Sequence, residues 1–297
     1  MRVFVTGASG WVGSAVVRDL LDAGHQVLAM VRSDAGAKAL SDMGAQIHRG
    51  DLEDLDGLRR GAEQTDGVIH TAFIHDFSRF AANCEIDRRA IEALGETLAG
   101  SDRPLIVTSG TGLLSPGAVA TEDTEPHAPS AAMPRVSEQA AQAFVARGVR
   151  VMAIRLPPSV HGDGDHGFVP ILIDLARQKG AAAYVGDGGN LWPAVHRFDA
   201  APVYRLALEK GVAGARYHAT AEEGVPFRDI AAVIGRRLGL PVVGKTPEEA
   251  ADHFGWFSHF AAMGNRASSQ KTREALGWTP TGPGLIADLD QPYYFAG

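Results

Sequence analysis

The sequence predicts an α/β fold: a doubly wound parallel sheet with helices on both faces and a smaller carboxyl-terminal lobe. Three observations predict it. Short β-branched runs alternate with helical patterns through the first half, the first run leads into a glycine loop that opens a helix, and after Pro157 and Pro158 glycine-rich loops take over. Strands separated by helices need right-handed crossovers, which lay the helices on both faces of a parallel sheet.

Taken in order, RVFVTG forms a strand, WVGSAVVRDLLDAG a helix, HQVLAMVR a strand, DAGAKALSDMG a helix and AQIHRGD a strand. Further strands are expected at GVIHTA, PLIVTS and VRVMAIRLP. Residues 1–157 then make the core, and residues 158–297 mainly a lobe with helices at VPILIDLARQKG and FRDIAAVIGRRLG. The segment 192–210 is expected to return to the core. Such a lobe sits over the carboxyl ends of the strands, where open α/β sheets bind ligands.

At 297 residues the chain can bury a large apolar core. Its formal charge of -7, from 28 basic and 35 acidic side chains, is not gathered into any long block, which argues against nucleic-acid or anionic-membrane partners. Cys84 is the only cysteine, so neither an internal disulfide nor a cysteine-rich metal site is expected, in keeping with a reducing cytoplasm. No signal-peptide pattern opens the chain, and no apolar run approaches the roughly 20 residues of a membrane helix.

In VTGASGWVGS, Gly7, Gly10 and Gly13 follow a strand and open a helix. Small residues there permit a tight turn, close backbone approach to a pyrophosphate, and a helix N-terminus facing its negative charge. The end of the second strand, about 20 residues on, reads the ribose. It runs LAMVRSD, where Arg32 can pair with a 2′-phosphate and Ser33 can donate to it, favouring NADP with NAD as the alternative.

With RGDLED, VIHTA, IVTSG and RLPPSVHG in the same order, these residues resemble the extended short-chain dehydrogenase/reductase superfamily over nearly the whole chain. The segments WPAVHRFDAAPVYRLALE and SSQKTREALGWTP look like later parts of that pattern. The resemblance implies a Rossmann-type core, with Gly7, Ser9, Gly10, Trp11, Val12 and Gly13 around the pyrophosphate. It puts Asp51 and Leu52 near the adenine and Ala72 at the cofactor, and Arg32 matches the VR of NADP-using members. Read from its neighbours alone, Asp51 is a helix N-cap.

That superfamily protonates the substrate oxygen with a Tyr, aided by a Lys one helical turn later. In SAAMPRVSEQAAQAF the matching positions are Pro134 and Glu138; a shift by one offers Met133 or Arg135 with Gln139, which is no better. Pro134 suits the first turn of a helix, and Glu138 would reverse the charge near the ribose. The partner hydroxyl beyond the fifth strand falls to Ser109 or Thr111, one of which is expected to point into the cofactor site. Replacement acids are sought at His75 beside Asp76, and at His161, His166 and His196.

The loop carrying His161, Asp163, Asp165 and His166 reads as a turn rather than a metal site. Tyr184, Trp192, Trp256 and Phe257 are candidates for an apolar substrate wall. The expected activity is an NADP-dependent oxidoreductase acting on a small or medium apolar substrate. The alternatives are an epimerase- or dehydratase-like enzyme with bound NAD(P), or a non-catalytic NADP-binding sensor. A homodimer through SEQAAQAFVA is expected from the resemblance.

Overall fold

The structure, a computed structural model, describes residues 1–114, 117–131 and 133–296. The first half runs β1 (Arg2–Thr6), α1 (Trp11–Asp22), β2 (Gln26–Val31), α2 (Asp34–Asp42), β3 (Gln46–Arg49), α3 (Leu55–Glu63) and β4 (Gly67–His70). It continues through α4 (Phe80–Leu98), β5 (Pro104–Gly110), α5 (Ser137–Gln142) and β6 (Arg150–Leu156). The second half holds β7 (Ser159–His161), α6 (Phe168–Lys179), β8 (Ala182–Val185), β9 (Leu191–His196), α7 (Arg197–Lys210) and β10 (Arg216–His218). It ends with β11 (Glu222–Pro226), α8 (Phe227–Leu238), β12 (Val242–Lys245), α9 (Pro247–Phe254), α10 (Ser258–Ala262), α11 (Gln270–Leu276) and α12 (Leu285–Leu289).

Seven strands pair in parallel in the order β10-β6-β5-β4-β1-β2-β3, the doubly wound sheet expected from the alternating pattern. The period of two along β1 shows why both faces need helices. Val3 and Val5 join Val16 and Leu20 of α1 and Tyr204 and Leu208 of α7, whereas Phe4 joins Leu58 of α3 and Ile91 and Leu94 of α4. After β3 the chain crosses back to β4 on the other side of β1, and this reversal opens a crevice at the carboxyl ends of β1 and β4.

The lobe has its own core, in which Trp192, Phe227, Phe254 and Phe257 pack between a three-stranded sheet, β11-β9-β7, and a two-stranded one, β12-β8. Within 192–210, α7 lies against α1 while β9 pairs in the lobe. Several elements had no counterpart in the sequence reading, among them the long helix α4, the edge strand β10 and the lobe strands β8, β11 and β12. The helix after Pro134 also begins later than expected. Pro134 lies in the preceding loop and α5 starts at Ser137, so the proline stands outside the first turn. Among the described residues no helix is long and apolar enough to cross a membrane.

Candidate active site

The turn between β1 and α1 is built for close approach. Gly7 has φ +66°, a left-handed conformation that side chains rarely adopt, and a methyl group built on it would lie 2.6 Å from the Ala72 nitrogen. One built on Gly13 would lie 2.1 Å from the Gly7 carbonyl oxygen, which already accepts from the Gly10 N–H at 2.9 Å. No side chain caps α1, so the amides of its first turn, from Trp11 and Val12 onward, keep their positive end free beside the exposed Ser9 and Gly10. Trp11 itself braces the turn. Its indole N–H donates to the Val160 carbonyl at 2.8 Å, and its ring lies 4.0 Å from the Arg197 guanidinium and 5.6 Å from the His166 ring.

At the end of β2 the three polar residues divide their work. Ser33 is the N-cap of α2, accepting from the Gly36 N–H at 3.2 Å, and Asp34 is paired with Arg49. With that carboxylate taken, Arg32 is exposed and makes no hydrogen bond or ion pair among the described residues. Asp51 accepts from the Glu53 and Asp54 amides at 2.8 and 3.0 Å, closing a turn, and it is Asp54 that caps α3. Leu52 is buried with Phe4, Leu28 and Met30.

Beyond β4, Ala72 abuts the glycine turn, and the chain then overhangs the crevice through Phe73, His75 and Phe77. The rings of Phe73 and Phe77 lie 5.3 and 6.5 Å from His75. Desolvation by these neighbours, and then the nearby charge of Arg135, push the imidazole below its ordinary pKa although the residue is exposed at the surface. Phe77 stacks on Trp256 of the lobe at 5.5 Å, and Phe260 stands 6.1 Å from Phe77, so aromatic rings from core and lobe meet across the mouth. Trp256 is 58% exposed, whereas Trp192 and Phe257, expected in the same wall, are lobe core because their rings pack on Phe168 and on one another.

Neither expected hydroxyl at the end of β5 opens into this crevice. Thr111 is fully buried, donating to Asn265 Oδ1 at 2.5 Å while Asn265 Nδ2 donates back to the Thr111 carbonyl at 2.6 Å. Ser109 is buried as well; its hydroxyl faces Glu138 without forming a hydrogen bond of normal geometry. Glu138, in turn, does not place a negative charge near a ribose. Both its oxygens accept from Arg155, at 2.9 and 2.8 Å, and Arg216 lies 3.4 Å away. Burial alone would raise that carboxyl's pKa, but the two arginines outweigh it and hold the group ionised.

The histidines of the second half separate. His161 is fully buried against Asp288 at 2.8 Å, with its Nε2 unpartnered among the described residues and its ring 5.5 Å from His196. Burial, then the charge of His161, lowers the pKa of His196. Asp165, pushed up by burial, accepts from the Gly167 amide at 2.7 Å, which makes the turn expected of that loop. Only His166, against Trp11, lies on the side of the glycine turn, and it is near enough to His75 to influence its charge.

Residues 3–220 match the model of the NAD dependent epimerase/dehydratase family. The chain belongs to that family. Membership in the extended short-chain dehydrogenase/reductase superfamily, expected from the motifs, is thereby borne out. An uncharacterized protein of Schizosaccharomyces pombe is 52% identical over 297 residues, covering 99% of this chain and 100% of its own. A 2-alkyl-3-oxoalkanoate reductase of Stenotrophomonas maltophilia is 30% identical over 82% of this chain and 78% of its own. The dTDP-glucose 4,6-dehydratase DesIV of Streptomyces venezuelae superposes with a TM-score of 0.78 at 22% identity, over 99% of this chain and 97% of the other, a likeness of fold.

This member of the epimerase/dehydratase family also has a polar line under the crevice that sequence reasoning missed. Arg135 Nε donates to Ser137 Oγ at 2.9 Å, Ser137 donates to Asp87 at 2.5 Å, and Asp87 lies 3.1 Å from His70 Nε2, whose Nδ1 meets Thr6 Oγ1 at 2.8 Å. Burial favours a neutral Asp87, but His70, Arg135 and Ser137 together keep its pKa low. The signal for this line is weak in the sequence, because its members come from four separate segments and none stands in a recognisable spacing.

Proposed function

We propose that the protein is an NADP-dependent oxidoreductase that reduces a carbonyl of a small or medium apolar compound without the usual Tyr–Lys pair. The observation that carries this reading is the crevice at the carboxyl ends of β1, β4 and β5. It joins an uncapped helix N-terminus to His75 and to an aromatic wall of Phe73, Phe77 and Trp256. The related 2-alkyl-3-oxoalkanoate reductase supports a carbonyl as the acceptor.

A dinucleotide fits the turn because Gly7 and Gly13, where a methyl group would strike the backbone of Ala72 or Gly7, let the chain close tightly in front of an uncapped helix N-terminus. Ser9, Gly10 and the amides of Trp11 and Val12 hold the pyrophosphate, Asp51 and Leu52 flank the adenine, and Ala72 faces the nicotinamide half. Bound there, the reduced cofactor supplies hydride. Arg32 holds the 2′-phosphate, since no carboxylate competes for it. Arg32→Ala is expected to weaken NADPH binding about tenfold, near 1.4 kcal/mol, and to leave NADH within about twofold. Equal losses for both cofactors in a fluorescence titration would remove Arg32 from this role.

His75 is the proton donor in this reading. Its pKa lies below the ordinary 6.5, so the cationic form that donates is scarce at neutral pH and accumulates as pH falls. Turnover therefore rises from pH 8 towards pH 5, and His75→Asn flattens the profile and lowers kcat about 100-fold. A profile with the same slope in wild type and His75→Asn would dismiss His75.

The direct test follows NADPH fluorescence on binding and its oxidation with a panel of aldehydes and ketones. Binding with substrate-dependent oxidation is expected; failure to bind either NADPH or NADH would end the proposal. A second reading, a cofactor-binding sensor, is favoured by the closed positions of Ser109 and Thr111. Tight NADPH binding with no oxidation across the panel would support it.

A further inference from the structure

Arg135 occupies the ground left by the absent Tyr and Lys. It is half-buried at the ends of β4 and β5, its guanidinium 4.3 Å over the Phe73 ring, with no carboxylate within ion-pair distance among the described residues. How its donors are used decides what it can still bind. The side edge of the fork is taken, Nε by Ser137 Oγ at 2.9 Å and Nη2 by the Thr108 carbonyl at 3.0 Å. Nη1 makes no hydrogen bond among the described residues. The end-on edge, Nη1 with the second hydrogen of Nη2, is therefore open. A guanidinium so anchored is aimed and already part-desolvated, and its open edge matches two coplanar oxygens.

We propose that the end-on edge of Arg135 binds the carboxylate of the substrate, which makes the substrate class oxo acids with an apolar body. The inference deepens the reductase reading and rests on it. The carboxylate sits on Arg135, the apolar body lies along Phe73, Phe77 and Trp256, and the oxo group is brought towards His75. The same cation bears on its whole surroundings: after burial, it is the largest charge acting on His75 and on the Cys84 thiol. Sequence alone gave Arg135 no role, because a proton donor was sought at its position and an arginine cannot serve as one.

The experiment pairs 3-oxooctanoate with 2-octanone, which presents a ketone without the carboxylate, and adds octanoate, which has the carboxylate and no ketone. With NADPH and wild-type protein, kcat/KM for 3-oxooctanoate is expected to exceed that for 2-octanone about 100-fold. Arg135→Met removes that advantage, raising KM for the acid while the ketone changes only in kcat, through the altered charge beside His75, and Arg135→Lys restores part of it. Octanoate binding, followed by calorimetry on the wild type and on Arg135→Met, needs no hydride transfer and is expected only for the wild type. NADPH affinity and Tm of both variants are measured to separate a folding defect from a lost contact.

If octanoate binds through Arg135 but neither ketone is reduced, the anion site stands and the reductase reading falls. If both ketones are reduced with equal efficiency and Arg135→Met treats them alike, the reductase stands and the carboxylate site is overturned. Equal octanoate binding by wild type and Arg135→Met likewise overturns it.

Discussion

Gly13→Ala is expected to abolish dinucleotide binding while leaving a folded protein. The added methyl would lie 2.1 Å from the Gly7 carbonyl oxygen and 2.8 Å from Thr71 Oγ1, distances at which the backbone must move. What moves is the turn itself, because Gly7 accepts the Gly10 amide that sets the entry to α1. The helix terminus then no longer presents its amides where a pyrophosphate would meet them. A loss of at least 100-fold in NADPH affinity, about 2.7 kcal/mol, is expected by fluorescence titration. Stability should fall less, since Ala15, Val16 and Leu20 still bury the same face of α1. Gly264, which lacks a positive φ and where an added methyl would meet only Asn190 Cβ at 3.9 Å, serves as the comparison for a glycine outside the turn. Wild-type NADPH affinity in Gly13→Ala would mean that the turn does not hold a cofactor.

The second large effect is on stability. Arg155 is fully buried, and it is held by Glu138 through two hydrogen bonds. Arg155→Met leaves the Glu138 carboxylate inside the protein with only Arg216 at 3.4 Å, and a loss of about 3–5 kcal/mol is expected. Removing both charges is a different matter. The double variant Arg155→Met with Glu138→Leu leaves no buried carboxylate without a partner, so most of the loss should be recovered. Urea unfolding of the wild type, both single variants and the double variant gives the coupling directly. A single-variant loss below about 1 kcal/mol, or a double variant no more stable than Arg155→Met, would show that the pair is not the holding element proposed.

What was legible in the sequence was local. The strand runs and the glycine turn are set by residues within a few positions of one another, and they appear where those residues require, whereas the caps expected at Asp51 and Pro134 fall three residues further on, at Asp54, and two further on, at Val136. The long helix α4 was overlooked although Cys84, Ile91, Leu94 and Leu98 bury one face of it. Glu138 was read by alignment as a charge facing a ribose, and its true partner lies on β6, in a position that only the pairing of β5 with β6 makes adjacent. Thr111 was misjudged for a similar reason: Asn265, which binds both its hydroxyl and its carbonyl, is on a distant segment of the lobe. The meeting of Phe77 with Trp256 is likewise a product of lobe docking, invisible to any spacing rule.

The buried charges beside the sheet have a consequence for modularity. Arg155 of β6 reaches the Glu122 carbonyl and His218 of β10, and Glu122 in turn accepts from the amide and hydroxyl of Thr272 in α11. Substrate loops of enzymes are often treated as interchangeable caps on a constant core. Here a transplanted lobe would arrive without Thr272, and the recipient core would be left with the buried Glu122 carboxylate stripped of the amide and hydroxyl that donate to it. Exchange with relatives is therefore possible only if Glu122, Glu138, Arg155, His218 and Thr272 travel as a set.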